Sequence, residues 1–563
     1  MTPSAIDELV DLWTALPRTR QIEILEALPN DEAQALELAL GPDPDAVAQA
    51  RADTADPVAW VRRWLPGLMP LDPGPHHHTL LGVLDGDEPT GVRFVAGAPR
   101  GSGKSTTLLT ALPIIAAARR SHRFAVIVRD NLPDAVSSVR GIRSLLESTP
   151  ELVARYPWLR PLPGEQGELH LVGGVVILAR STGSAIRGLN RILPDGTIAR
   201  PDLVLGDDLE DDESARSTLQ TERLADWLLG TIGQLGGPPG TSAAASLDLA
   251  VIGTTLEVSA LVSRMLDGTG AFAAWERHRF PAEATVTVRD DGELATVDAD
   301  DVETSIPVPR GTSPGDRVAL WPEGMPLAYL DRLSDPTDEL FVGSILYSRE
   351  YLLRPRQRTD VLFAKSATVW APLADDWLAG KISREREAIG ADPAISVREV
   401  ADYTAAVVTA LTTAGAVLDD ETLERLTLEP DRAVLIVPYA ERRRGTPGEI
   451  LGWLEDLYGL WTPAGRLAFE AEGGFASMAD ELRRRNVARV RPVTSGGKDK
   501  RTRATPLSVW HEAGRLIFDD ALRGTPFDLE LHGFTGTGQE EHDDLVDALV
   551  HGATYSTNAW RRR

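Results

Sequence analysis

The sequence predicts a two-part α/β protein, and three observations carry that prediction. An apolar strand, Val92 to Gly97, runs into a glycine-rich turn and a helix start. Apolar strands then alternate with helical stretches at Phe94–Gly97, from Lys104, at Phe124–Val128 and at Val175–Ala179, which implies a parallel sheet covered by helices. In the last third, carboxylates stand at the ends of apolar strands and on a final helix, far apart along the chain.

The turn Ala98-Pro99-Arg100-Gly101-Ser102-Gly103-Lys104-Ser105-Thr106 reads as a phosphate cradle. Glycines let successive backbone N–H groups face an anion, and the following helix adds its positive N-terminal end. Lys104 can reach the β/γ-phosphates of ATP, and the Ser105 hydroxyl can ligate Mg²⁺. The usual pattern has Gly where Ala98 stands. Pro113 predicts a kink or an early end to the helix that follows.

The second nucleotide element is Arg200 to Glu213, an apolar strand that ends in a carboxylate cluster. Asp207 at the strand tip can hold Mg²⁺ while its neighbour orients the attacking water. Asp208 occupies the second position, where glutamate is more usual, and Glu210 is the alternative. Leu249 to Thr255 is another apolar strand, and Thr254 at its end is a candidate reader of the γ-phosphate. Arg100 in the cradle and Arg187 in a glycine-flanked loop are candidates for charge stabilisation of the transition state. Residues 284–318 read as a polar hairpin, and His76 to His78 as a turn leading into a helix rather than a metal site.

At 563 residues and without internal repeats, two or three domains are expected. A content of 42% hydrophobic and 25% charged residues is ordinary for a soluble globular protein, and the absence of cysteine excludes disulfides and thiolate metal sites while agreeing with an intracellular setting. No apolar run reaches the roughly 18 residues that a membrane helix needs. The net charge of −26 argues against a surface uniformly coated by nucleic acid and leaves DNA contacts to local patches. Arg442-Arg443-Arg444, Lys498 to Arg503 and Arg561 to Arg563 are the candidates, and a solvated loop fits each equally well. Helical spacing broken by prolines makes residues 1–55 a helical appendage, ahead of a nucleotide domain over 56–358 and a third domain over 359–563.

In that third domain Ala388 to Asp392 is an apolar approach to one aspartate, and Asp402 to Val408 is a second strand that completes a hairpin. Glu470 closes a further strand. Asp544 and Asp547 lie one helical turn apart, with Asp543 beside them. Carboxylates from two strands and a helix can converge on two divalent ions that clamp the oxygens of a phosphodiester displacement.

Together, Ala98 to Thr106, Gly183 to Gly188, Arg200 to Asp208, Val251 to Thr254, Leu320-Trp321-Pro322-Glu323 and Tyr347 to Pro355 resemble the ATPase half of tailed-phage large terminases. Asp392, Glu470 with its following glycine pair, and the His542-Asp543-Asp544 helix resemble the RNase H-like nuclease of the same family. The resemblance spans roughly residues 60–560. It implies a P-loop ATPase sheet of the additional-strand, catalytic-glutamate type followed by an RNase H-like α/β nuclease. It also implies ATP with Mg²⁺, two Mg²⁺ or Mn²⁺ ions at the nuclease site, and Asp392, Glu470 and Asp544 as metal ligands, with Asp543 and Asp547 as helpers and Asp402 structural or accessory. The implied work is packaging of double-stranded DNA into a procapsid in the host cytoplasm. Its partners would be a portal protein and a small terminase subunit, with no membrane; the chain would form a ring on the procapsid and be a monomer when free. A DNA-repair or defence helicase-nuclease is the rival reading, and a nucleotide-gated scaffold that merely binds structural metal is a third.

Overall fold

The computed structural model describes residues 43–557 apart from 85, 194–196, 212–213, 237–245, 356–359, 395–402, 463–464, 471–474, 486, 488, 494–498, 539 and 541. Most of the N-terminal appendage, Asp402, Lys498 and the terminal arginines therefore lie outside the described residues. Two compact units emerge. The first runs to Leu330 and takes back Ser348–Pro355, and the second comprises Asp331–Tyr347 and Arg356 onward. Among the described residues, no helix is long and apolar enough to cross a membrane.

The first unit is built on seven strands: β1 (Arg93–Gly97), β2 (Phe124–Arg129), β3 (Glu168–His170), β4 (Val176–Ser181), β5 (Leu203–Asp207), β6 (Asp248–Gly253) and β7 (Glu276–Arg279). Their order is β3-β4-β2-β5-β6-β1-β7, parallel except where β3 pairs with β4. Continuous apolar runs fit strands buried on both faces. Phe94, Ala96, Ile127, Leu205 and Ile252 point into one core, whereas Val95, Val126, Val128, Val204 and Val251 point into the other. Strand β6 lies between the cradle strand β1 and the acidic strand β5. This is the additional-strand arrangement.

Helices cover both faces. On the first lie α1 (Pro44–Asp53), which buries Ala50 in the same core, and α2 (Pro75–Gly82). The run after the cradle opens with α3 (Lys104–Thr106), widens to a π-turn over Thr107–Ala111 and continues as α4 (Leu112–Arg119). Pro113 therefore does not end the helix. It lacks an N–H to donate, and the Leu112 N–H donates instead to the Thr107 carbonyl in the widened turn. Next comes α5 (Leu132–Glu147), capped by Asn131, and on the opposite face lie α6 (Thr218–Gly230) and α7 (Leu261–Leu266). The polar stretch after residue 283 is a three-stranded antiparallel sheet of β8 (Glu283–Val288), β9 (Leu294–Val297) and β10 (Arg317–Ala319), with β8 central.

The second unit holds β11 (Val369–Ala371), β12 (Glu385–Asp392), β13 (Thr404–Thr413), β14 (Ala433–Arg443), β15 (Arg466–Glu470), β16 (Val490–Val493) and β17 (Leu516–Asp519). The order is β11-β17-β14-β13-β12-β15-β16. Strands β14, β13 and β12 are antiparallel, and β15 and β16 then run parallel to β12, which is the RNase H-like core. Four helices matter below: α8 (Pro447–Trp461), α9 (Lys500–Glu512), α10 (Pro526–Gly533) and α11 (Asp544–Thr557).

Helix α11 crosses the sheet at backbone distance. A Cβ on Gly390 of β12 would lie 1.9 Å from the Ala548 carbonyl oxygen and 2.4 Å from the Gly552 nitrogen. A Cβ on Gly552 would in turn lie 2.9 Å from Thr409 Oγ1. Two glycines thus let a helix rest on a strand without side chains between them. Beside them Thr409 and Ser556 share a hydrogen bond of 3.1 Å, and Ser556 donates to the Arg386 carbonyl at 2.9 Å. Gly390→Ala must push α11 off the sheet. Urea unfolding should show the second unit losing about 3 kcal/mol or more while the first unit's transition stays put; an unshifted second transition would contradict the close approach.

Candidate active sites

The cradle adopts the conformation its glycines permit. Gly101 and Gly103 have φ of 77° and 78°, in the left-handed region that β-carbons disfavour. The Arg100 N–H donates to the Glu350 carbonyl at 2.9 Å, and the Ala98 N–H donates to Gly253 at the end of β6 at 3.2 Å. The position where glycine is usual therefore sits at the strand exit, where alanine is accommodated. Lys104 is buried behind the turn and Arg100 is exposed at its tip. Ser105 is half-buried, and Thr106 is exposed at the start of the helix.

His76 and His77 back the cradle. His76 Nε2 meets the Ser102 carbonyl at 2.8 Å, while His77 Nδ1 accepts from the Gly74 N–H at 3.0 Å. A Cβ on Gly103 would lie 3.2 Å from His77 Nε2. Trp321 packs edge-on against both rings. Burial pushes the imidazoles down to about 3 and about 4, so both are neutral and add no positive charge behind Lys104. Their placement in the first turn of α2 agrees with a turn leading into a helix; their contact with the cradle was not visible in the sequence.

At the tip of β5, Asp207 is fully buried and neither carboxylate oxygen has a hydrogen-bond partner. The Arg129 guanidinium approaches to 3.3 Å. Burial, together with Asp208, pushes the Asp207 carboxyl up to about 6, against the pull of Lys104 and Arg129. An orphaned anionic group aimed at a phosphate cradle fits a Mg²⁺ ion, whose charge would relieve that burial. Asp208 has φ of 43°, a strained value for a non-glycine residue, and is half-buried. Glu210 is committed elsewhere: Oε1 accepts from Thr221 Oγ1 at 2.9 Å and Oε2 from the Leu261 N–H at 2.5 Å, which caps α7. Thr254 is buried at the exit of β6. Gly183 and Gly188 have φ of 69° and 73°, and Arg187 between them is exposed.

The second site gathers on one face of the RNase H-like sheet. Asp392 ends β12, Glu470 ends the neighbouring parallel strand β15, and α11 presents Asp544, Asp547 and His551 at i, i+3 and i+7. One ligand atom each from Asp392, Glu470 and His551 lies within 4.8 Å of the others, with His551 Nε2 at 3.3 Å from Glu470 Oε2. Burial and the neighbouring Glu470 hold the Asp392 carboxyl well above its usual range, whereas the His551 hydrogen bond pulls Glu470 down to about 2.

Asp544 acts on Asp392 electrostatically and accepts from the Tyr403 N–H at 3.4 Å, while His551, which the sequence reading did not name, joins Asp392 and Glu470 in the tight group. Asp543 and Asp547 pair with the basic run, and Asp547 at the same time acts on Asp392. Lys500 Nζ reaches Asp543 Oδ2 at 2.5 Å and Asp547 Oδ2 at 2.8 Å, and Arg503 reaches Asp547 Oδ1 at 3.2 Å. Lys500 and Arg503 are therefore internal partners of acids rather than a solvated patch. Burial alone would lower the Lys500 pKa, but Asp547 and Asp543 raise it overall. In the other described patch, Arg442 and Arg444 pack over the Tyr403 ring and Arg443 over Trp453, while Arg442 also pairs with Glu530. Glu530 accepts from the Leu545 N–H at 2.9 Å, capping α11, and burial pushes its carboxyl up to about 7.

A P-loop ATPase fold followed by an RNase H-like nuclease fold is the class that these two sites define. Residues 389–555 match the family model described as the terminase RNaseH-like domain. Among solved structures, the large terminase of a thermophilic bacteriophage, in its second crystal form, shares 9% identity over 86% of this chain and 99% of its own, with a TM-score of 0.50, a likeness of fold. The HK97 bacteriophage large terminase has 14% identity over 88% and 98%, with a TM-score of 0.33. The large terminase nuclease of thermophilic phage G20c, with bound zinc, has 17% identity over 34% and 94%, with a TM-score of 0.22. No curated protein matches the chain. In its family model and its fold, the chain is thus similar to phage large terminases.

The burial of Asp207 has a measurable sign. A carboxyl whose pKa is higher in the folded than in the unfolded state makes the fold lose stability as pH rises from about 4 through about 6. In nucleotide-free protein, Asp207→Asn should therefore stabilise the first unit at pH 8 by about 1–3 kcal/mol, and the gain should vanish below about pH 4. Urea titrations at the two pH values check this; a destabilised Asn variant at pH 8 would contradict it.

Proposed function

We propose that the chain is the large subunit of a tailed-phage or prophage terminase. It hydrolyses ATP to drive double-stranded DNA into a procapsid, and it cuts concatemeric DNA with a divalent-ion-dependent nuclease. The observation that carries the reading is the occurrence in one chain of a phosphate cradle facing the orphaned Asp207 and of an Asp392–Glu470–His551 cluster inside the terminase RNaseH-like segment.

In the ATPase, the amides of Gly101 to Lys104 and the Lys104 ammonium hold the phosphates, and Ser105 with Asp207 would hold Mg²⁺. Asp208 orients the attacking water in place of glutamate, because both Glu210 oxygens are already hydrogen-bonded. Thr254 reads the terminal phosphate. Arg100, exposed at the cradle tip, and Arg187, exposed on its glycine-flanked loop, are the candidates for adding positive charge to the transition state.

In the nuclease, Asp392, Glu470 and His551 would hold the divalent cation, which when bound generates the nucleophile and stabilises the leaving oxygen. Asp544 adds negative charge beside Asp392. A portal protein and a small terminase subunit are the expected partners, with a ring of this chain on the procapsid in the host cytoplasm.

The two chemistries should separate. Lys104→Ala should cut ATP turnover at least about 100-fold and leave plasmid cleavage within about twofold, and Asp392→Ala should do the reverse. Steady-state ATPase assays and Mn²⁺-dependent plasmid cleavage on both variants test this. Retained turnover in the first variant, or retained cutting in the second, would remove the corresponding half of the assignment.

A further inference from the structure

We infer that Arg444, held on the Tyr403 ring beside the carboxylate centre, contacts a non-reacting phosphate of the DNA being cut, with Tyr403 as the positioning residue for that contact. The inference rests on the nuclease reading above and adds to it where the substrate backbone is held.

Strand register brings the arginines to the acidic end of the sheet. Asp392 of β12 pairs with Ala405 of β13, and Ala405 pairs with Arg442 of β14. Residues paired directly across strands share a face, and neighbouring strands lie about 4.8 Å apart, so the Arg442 backbone is about 10 Å from that of Asp392 on one face. Two residues along each strand, Gly390, Val407 and Ala440 form the next row of that face, on the side where α11 rests. Arg443 alternates to the opposite face, where it packs over Trp453 of α8 and pairs with Glu441 at 2.6 Å. Three consecutive arginines are thus divided by the pleat, and only Arg442 and Arg444 meet on the Tyr403 ring.

Tyr403 joins these arginines to the acids. Its N–H donates to Asp544 Oδ2 at 3.4 Å, while Arg442 Cζ and Arg444 Cζ lie 4.2 and 3.9 Å from its ring centroid and His542 stands edge-on at 5.3 Å. Arg442 already has a carboxyl partner in Glu530, which also accepts from the Leu545 N–H in the first turn of α11, so it fixes the ring relative to that helix. Arg444 lies just past the end of β14 and is exposed. A guanidinium settled over an aromatic ring gives up little further side-chain freedom when it forks onto a phosphate. The surroundings call for such a cation, because Glu470, Asp544 and Asp547 crowd Asp392 in a chain whose net charge is −26. A metal ion reverses that sign only where it binds, and the flanking phosphates need a cation of the protein's own.

Single-turnover cleavage of a short labelled duplex by the full-length protein with Mn²⁺, over a series of protein and KCl concentrations, separates holding from cutting. Arg444→Ala should raise the half-saturating protein concentration about tenfold and make the slope of log affinity against log salt shallower by about 1. Its rate at saturation should stay within about twofold of the parent, since the phosphate it holds does not react. Tyr403→Leu should reproduce both changes, and Tyr403→Phe, which keeps the ring, should recover the parent's affinity and slope. Arg443→Ala removes the same charge from the other face and should leave both in place. An unchanged slope in Arg444→Ala, or an equal loss in Arg443→Ala, would overturn the inference while cleavage by the parent left the nuclease reading standing. No cleavage by the parent would remove both.

Discussion

The contact of α11 with β12 through Gly390 and Gly552 is the constraint on which the nuclease site depends. Residues on a sheet and on a covering helix are ordinarily separated by a layer of side chains. Here two glycines remove that layer, and the helix lies close enough for His551 to reach Glu470 across the strand ends. Asp392 stands two residues beyond Gly390, and His551 stands directly before Gly552, so each of these side chains of the proposed centre is adjacent to the contact that places it. The geometry of the chemistry is thus set by backbone approach rather than by loop conformation.

Both sites then concentrate charge that the fold alone does not favour. Asp207 is buried without a hydrogen bond, and Asp392 is half-buried beside three other acids, Glu470, Asp544 and Asp547, so desolvation raises both carboxyls. Such strain makes sense where a cation is to be bound, because the ion's charge replaces the water that folding removed. The protein also treats its acids unequally. Asp543 and Asp547 are neutralised internally by α9, and Glu210 and Glu530 are used as helix caps. Asp207 carries no such internal hydrogen bond, and it belongs to the nucleotide centre proposed above.

Features written in consecutive residues were readable from the sequence. The cradle from Ala98 to Thr106 and the acidic strand end at Asp207 and Asp208 each sit within one turn of chain, so spacing alone placed them. Asp392 and Glu470 were legible because each ends an apolar strand. His551 was not, since a lone histidine on an apolar helix face reads as core; the signal was its i+7 spacing from Asp544 and i+4 spacing from Asp547. The role of Lys500 was hidden for another reason. Its partners lie 43 and 47 positions downstream, and only tertiary packing turns a basic run into the counter-charge of an acidic helix. The continuation of the helix through Pro113 was likewise illegible, because a π-turn absorbs the missing donor.

Anomalous diffraction at the manganese edge, from crystals of the full-length protein soaked in Mn²⁺, tests most directly whether Asp392, Glu470 and His551 form the metal centre of a terminase nuclease. A peak bounded by these three side chains is expected, with Lys500 still lying between Asp543 and Asp547. Manganese bound among Asp543, Asp544 and Asp547 with His551 turned away, or no ordered ion on this face of the sheet, would contradict that assignment.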